Sequence, residues 1–135
     1  MAHIVLTDVS VVLAGVDLSD HLTSITLDYS ADAVEDTNMG DTTHQRIGGL
    51  KDWSVALDFS QDYAAGEVDA TLFSAVGTLI TFVGKPTSAS VGAANPSYSG
   101  TALLESYPPI SGAIGEKATV SVSLSAAGAL TRATS

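Results

Sequence analysis

The chain has no cysteine, so disulfides, thiolate metal sites and cysteine nucleophiles are excluded. A chain without disulfides suits manufacture in a reducing cytoplasm. Basic residues are also scarce, with five Lys and Arg against fifteen Asp and Glu, a formal net charge of −10. Long-range electrostatics therefore repel nucleic acid. The imbalance is local: residues 1–70 carry thirteen of the acids and two of the bases, net −11, and residues 71–135 are close to neutral. No basic patch with interleaved aromatics is present, which argues against specific nucleic-acid binding. No apolar run approaches the roughly 20 residues a membrane helix needs, so no membrane partner is expected. The start, MAHIVLTDVS, lacks the basic-then-apolar pattern of a secretion signal. At 135 residues the expectation is one domain over residues 1–135. It is large enough to bury roughly two-thirds of its unfolded surface without a staple.

Catalytic constellations are missing too. His3, His21 and His44 stand alone with no ligand spacing between them, and read as surface or turn residues. Asp36-Thr37-Asn38-Met39-Gly40-Asp41 has a superficial likeness to a calcium loop. It fails because Gly40 is one place early, Asp41 stands where the glycine belongs and Ile47 replaces the closing glutamate. Neither Gly48-Gly49 nor Gly84-Lys85 makes a phosphate loop, and there is no Gly-x-Ser-x-Gly elbow. The expectation is a non-enzyme with no cofactor and no metal.

What the chain does have is strand periodicity. Apolar residues at period two mark strands with one buried face. Ile25, Leu27 and Tyr29 alternate with Thr26 and Asp28, and Trp53, Val55, Leu57 and Phe59 alternate with Ser54, Ala56 and Asp58. Ala118–Ser125 alternates in the same way. Further strands are expected over Ile4–Leu13, Thr78–Val83, Tyr98–Glu105 and, at an edge, Ala129–Ala133. Val16–Leu22 reads as a short turn-rich segment. One helix is expected over Gly66–Val76, with Val68, Leu72 and Val76 on one stripe beside Phe73, acids in its first turn and Gly77 ending it. The sum is a mainly β chain: a β-sandwich or barrel of about seven strands with one flanking α-helix.

Two features point beyond a bland domain. Hairpin loops mostly run two to five residues, yet Ser30–Gly49 separates two strong strands and holds few large apolar groups. It reads as a long polar loop that orders against a neighbouring molecule. Second, Pro86–Leu104 and Ala118–Thr131 carry no charge. Uncharged strands are hazardous at an open edge, so they are either central and covered or paired across a subunit boundary.

Val16-Asp17-Leu18-Ser19-Asp20-His21 followed by Ser24–Tyr29 resembles the major tail tube proteins of bacteriophages with long, non-contractile tails. So do Ala33-Val34-Glu35-Asp36-Thr37 with Met39-Gly40-Asp41, then Leu50–Phe59, Val68–Phe73, Gly100–Tyr107 and Gly128–Thr134. The resemblance runs in order along nearly the whole chain. It implies a structural virion protein whose subunits close hexameric rings through a continuous sheet, with rings stacking into a tube that conducts DNA during ejection. It further implies a location in the virion tail after assembly in the host cytoplasm. The implied partners are other copies of the chain together with tail tip (initiator), tape measure and terminator proteins; genomic DNA passes without specific binding. The long loop would contact the next ring, with Asp32, Glu35, Asp36, Met39, Asp41 and Arg46 as its contacts. The alternatives are a tube protein of a related secretion or tail-like particle and a monomeric immunoglobulin-like binding or decoration module. An enzyme comes last.

Overall fold

The inward set Trp53, Val55, Leu57 and Phe59 is buried along the longest strand of a computed structural model, which describes residues 3–134. In chain order the strands are β1 (Ser10–Leu13), β2 (Val16–Asp17), β3 (Leu22–Glu35), β4 (Arg46–Ser60), β5 (Leu79–Lys85), β6 (Ser97–Leu104), β7 (Thr119–Ala126) and β8 (Thr131–Ala133). The helix α1 (Val68–Ala75) stands between β4 and β5, and a 3-10 turn (Ser19–His21) precedes β3. All strands join one antiparallel sheet in the order β2-β1-β5-β6-β7-β4-β3. β7 and β8 lie end to end along one side of β6, pairing with residues 102–104 and 97–99 respectively. The strand not anticipated from sequence is β2, two residues that fold back on β1 around Ala14-Gly15, both at positive φ.

One face of this sheet is the core. Buried side chains from β1, β4, β5, β6 and β7 meet there, and Val68, Leu72 and Ala75 of α1 close one end. Fully burying a side chain of this kind stabilises by about 1.5–3 kcal/mol. Trp53 and Phe82 form the aromatic centre, with ring centroids 6.2 Å apart. Both rings fit because two glycines lie beneath them. A Cβ on Gly100 would stand 2.6 Å from Trp53 Cζ2, and one on Gly84 would stand 2.8 Å from the tip of Phe82. The indole Nε1–H donates to the Gly128 carbonyl at 2.8 Å, fixing the break between β7 and β8. No polar residue is buried, and no covered side-chain polar atom lacks a partner among the described residues.

Several expectations are refined. The helix buries Val68, Leu72 and Ala75, while Phe73 and Val76 are 68% and 41% exposed. Gly77, at φ 80°, ends it, and its N–H donates to the Leu104 carbonyl at 2.8 Å. Because the helix stops at Ala75, Val76 leaves the buried stripe. The strand expected over Ile4–Leu13 is regular only from Ser10, since that is where pairing with β5 begins; Ile4, Val5 and Leu6 are exposed. The uncharged strands β6 and β7 are flanked on both sides, so they are central and covered and do not form the open edge. That edge belongs to β3, which carries Asp28, Asp32 and Glu35.

The connection after β6 is tied to α1 through Tyr107. Its hydroxyl donates to Asp69 Oδ1 and accepts from Gln61 Nε2, both at 2.8 Å. Burial pushes the phenol up to about 12, with the Asp69 carboxylate acting in the same direction. The folded chain therefore keeps this proton where the unfolded chain, near pH 10, releases it. Stability linked to Tyr107 is fully present below about pH 10 and is lost as pH rises toward about 12. In urea unfolding, the advantage of the wild type over Tyr107→Phe is expected to shrink between about pH 9 and about pH 11.5. An advantage constant across that window would overturn this assignment.

Candidate assembly surface

β3 and β4 are paired along almost their whole length, from Leu22 opposite Phe59 to Glu35 opposite Arg46. Their inner halves lie on the core, but from Asp28 to the end of β3 and from Arg46 to Asp52 every residue is exposed. The outer half is therefore an arm that leaves the body. With about 3.4 Å per residue it projects roughly 20 Å. This corrects the expectation of a polar loop over Ser30–Gly49: the ladder continues through Glu35 and resumes at Arg46, leaving a ten-residue connection over residues 36–45. Polar residues at both faces conceal such a strand in the sequence, because its order comes from backbone pairing and not from burial.

The arm has its own local rules. Between Ala31–Lys51 and Ala33–Gly48 the register shifts, so Gly49 and Leu50 together stand opposite Asp32. This β-bulge increases twist and changes which β4 residues share the core face. Beyond it Val34 stands opposite Ile47, and alternation along β3 puts the pair on the face opposite Tyr29. A Cβ on Gly49 would meet Val34 Cγ2 at 2.9 Å, so glycine gives Val34 its place. Val34, Ile47 and Leu50 are 46%, 55% and 81% exposed, so about half or more of each apolar side chain is open to solvent.

The tip is closed by its own hydrogen bonds. Asp36 N–H donates to the Gln45 carbonyl at 2.7 Å, Gln45 N–H to Thr37 Oγ1 at 2.9 Å and Asn38 N–H to Asp41 Oδ2 at 2.7 Å. Glu35 Oε1 lies 2.8 Å from His44 Nδ1 and accepts from Thr37 Oγ1 at 3.1 Å. The sequence-proposed contacts thus fall into three places. Glu35, Asp36 and Asp41 gather at the base and tip of the connection, Met39 projects from the tip fully exposed, and Arg46 starts β4 opposite Glu35. Asp32 stands apart at the bulge. Asp41 caps its own turn by accepting from the Asn38 N–H.

The outer edge of β3 has no strand partner among the described residues. Near its start an open cleft of about 590 Å³ separates Leu22–Ile25 from residues 6–9, so the sheet curls without closing. A second, mainly apolar hollow of about 370 Å³ lies between Ile25, Leu27 and Tyr29 of β3 and Tyr98 of β6 with Leu130. Sequence reasoning did not foresee one further cluster: His21 lies beside Asp62 and Glu67 at the foot of α1.

No protein-family model matches this chain, and no curated protein matches it by sequence. Solved structures do match its fold. A chain from the virion of a native gene transfer agent particle aligns with TM-score 0.73 at 16% identity, covering 93% of this chain and 95% of that one. A chain from the SPP1 tail tube aligns with TM-score 0.71 at 16% identity, covering 95% and 77%. A chain from the tail of an empty gene transfer agent particle with C6 symmetry aligns with TM-score 0.66, again at 16% identity, covering 82% and 81%. The chain therefore has the mainly β fold found in these tail assemblies, over nearly its full length.

Proposed function

We propose that this chain is the structural subunit of a tail tube, in a long-tailed phage or a particle of gene-transfer-agent type. The reading is carried by the arm: a paired, twisted hairpin projects from a closed core, bears a partly exposed apolar group and leaves a fourteen-residue strand edge unpaired. An open edge of that length templates pairing with another chain, and pairing around a ring removes every edge. The full-length likeness to chains of tail assemblies, one of them with C6 symmetry, supports hexameric rings that stack. In this reading the edge of β3 completes the sheet within a ring, and the arm with Asp32, Glu35, Asp36, Met39, Asp41 and Arg46 reaches the next ring. The chain's acidity keeps passing DNA from adhering, over the roughly 8 Å that physiological salt allows. Location in the virion tail and contacts with tip, tape measure and terminator proteins belong to the same proposal. The likeness to chains from a virion and a tail tube supports a structural rather than an enzymatic role.

Negative-stain electron microscopy of concentrated protein, at low salt and at salt that screens the −10 charge, tests this. Hollow rings or tubes are the expected result. A chain that stays monomeric in light scattering and also fails to join tubes seeded by assembled tail tips would overturn it in favour of a monomeric binding module.

A further inference from the structure

Three side chains distant in sequence meet at the foot of α1. His21 ends the 3-10 turn, Asp62 lies in the connection after β4 and Glu67 immediately precedes α1. His21 Nε2 is 2.6 Å from Glu67 Oε2 and 3.6 Å from Asp62 Oδ2. One ligand atom from each residue lies within 4.8 Å of the other two. The imidazole is largely covered, and each carboxylate keeps about a third of its side chain exposed. Their orientation is held from behind. Ala64 N–H donates to Asp62 Oδ1 at 2.9 Å, leaving Oδ2 toward the imidazole, and Asp69 N–H donates to the Asp62 carbonyl at 3.1 Å. Among the described residues no Lys or Arg forms an ion pair with either carboxylate. Two acids therefore converge on one imidazole nitrogen, in a position that a proton or a cation can fill.

We propose that His21, Asp62 and Glu67 bind a divalent transition ion of the Zn²⁺ type. One imidazole with two carboxylates suits a borderline ion, whereas Ca²⁺ and Mg²⁺ prefer all-oxygen shells. Bonds of about 2.0–2.2 Å set ligand atoms roughly 3.3 Å apart around a tetrahedral ion. The Nε2–Oδ2 separation of 3.6 Å meets that spacing. The 2.6 Å contact to Glu67 is a short hydrogen bond, whose proton the ion displaces, and the partly exposed Glu67 side chain has room to open that edge. Water fills the remaining position on the exposed side. The N-terminal end of α1 opposes a cation by about half a charge, which two carboxylates outweigh. The bound ion clamps the 3-10 turn, the β4–α1 connection and α1 to one another.

The test uses the full chain with His3→Ala and His44→Ala, both at exposed positions, so that His21 is the only histidine. Calorimetric titration with Zn²⁺ is expected to give one-to-one binding with a dissociation constant on the order of 10 μM or tighter. Co²⁺ is expected to give visible ligand-field bands at the same stoichiometry. Glu67→Gln keeps a hydrogen-bonding partner for His21 and is expected to weaken Zn²⁺ binding at least about tenfold; His21→Ala is expected to abolish it. A folded sample, checked by circular dichroism, with no saturable Zn²⁺ binding below about 1 mM would overturn the proposal. So would an unchanged dissociation constant in Glu67→Gln. Neither result bears on whether the chain builds tubes.

Discussion

Trp53→Ala is expected to destabilise the chain by about 3–5 kcal/mol, a large share of the 5–15 kcal/mol that a domain of this kind commands. The indole is 3% exposed, fills the space above Gly100, packs at 6.2 Å against Phe82 and donates to the Gly128 carbonyl. Truncation opens a cavity and leaves that carbonyl without its donor, two costs of different origin. Gly100→Ala attacks the same contact from the other side. Its Cβ would meet Trp53 Cζ2 at 2.6 Å and the Ala129 carbonyl at 3.1 Å, so the ring or the strand has to shift, at about 1–3 kcal/mol. The two changes are expected to be less than additive, because removing the indole removes the closer clash. Urea unfolding of both single variants and the double variant, followed by far-ultraviolet circular dichroism, measures this. If Gly100→Ala costs the same with and without Trp53, the glycine is not there to admit the ring.

Much of this architecture is legible in the chain because burial writes itself as periodicity. The alternation in Ala118–Ser125 specified β7 to within one residue at each end, that in Lys51–Ser60 specified the core-facing part of β4, and Gly77 marked the end of α1. Where burial is absent, the sequence is silent. Residues 30–35 and 46–50 pair across the arm through backbone groups and fully bury no side chain, so Ser30–Gly49 reads as a loop. The apolar pair Val34 and Ile47 hides for a second reason: it belongs to one face only after the bulge at Gly49-Leu50 has changed the register. Exposure also hid which strand is the edge, since lack of charge in β6 and β7 signals a covered centre as readily as a subunit contact. Of the candidate contacts, Asp32, Glu35 and Arg46 lie within β3 and β4, and only Asp36, Met39 and Asp41 lie in the connection between them, because backbone pairing that buries no side chain leaves no periodic signal. His21, Asp62 and Glu67 escape because 41 and 46 positions separate the histidine from its neighbours, and the turn of α1 onto the sheet brings them together.

In the proposed tube, deleting residues 33–48 is expected to abolish stacking of rings while leaving the subunit folded. The deletion joins Asp32 to Gly49, so Ala31 can stay opposite Lys51 around the three-residue loop Asp32-Gly49-Leu50, a length that hairpins with glycine tolerate well. None of the removed residues contributes to the core, and all of them are exposed. The thermal midpoint is therefore expected to move by only about 4 °C or less, as for a change near 1 kcal/mol in a chain of this size. A finer version keeps the arm and combines Val34→Asp and Ile47→Asp. These side chains are paired across the ladder and are about half exposed in the isolated chain. If a neighbouring ring buries their exposed halves, each contributes about 0.7–1.5 kcal/mol to the contact, and losing both weakens association by at least about tenfold. If instead the arm hangs in solvent, the same changes merely add two charges to a soluble hairpin and tubes form as before. Electron microscopy and sedimentation of the variants beside the wild type separate these cases. Isolated rings in place of tubes identify the arm as the contact between rings. Tubes of normal length would remove the arm from the assembly mechanism. Loss of rings as well would mean that the hairpin acts within the ring, through the edge of β3 that it stiffens.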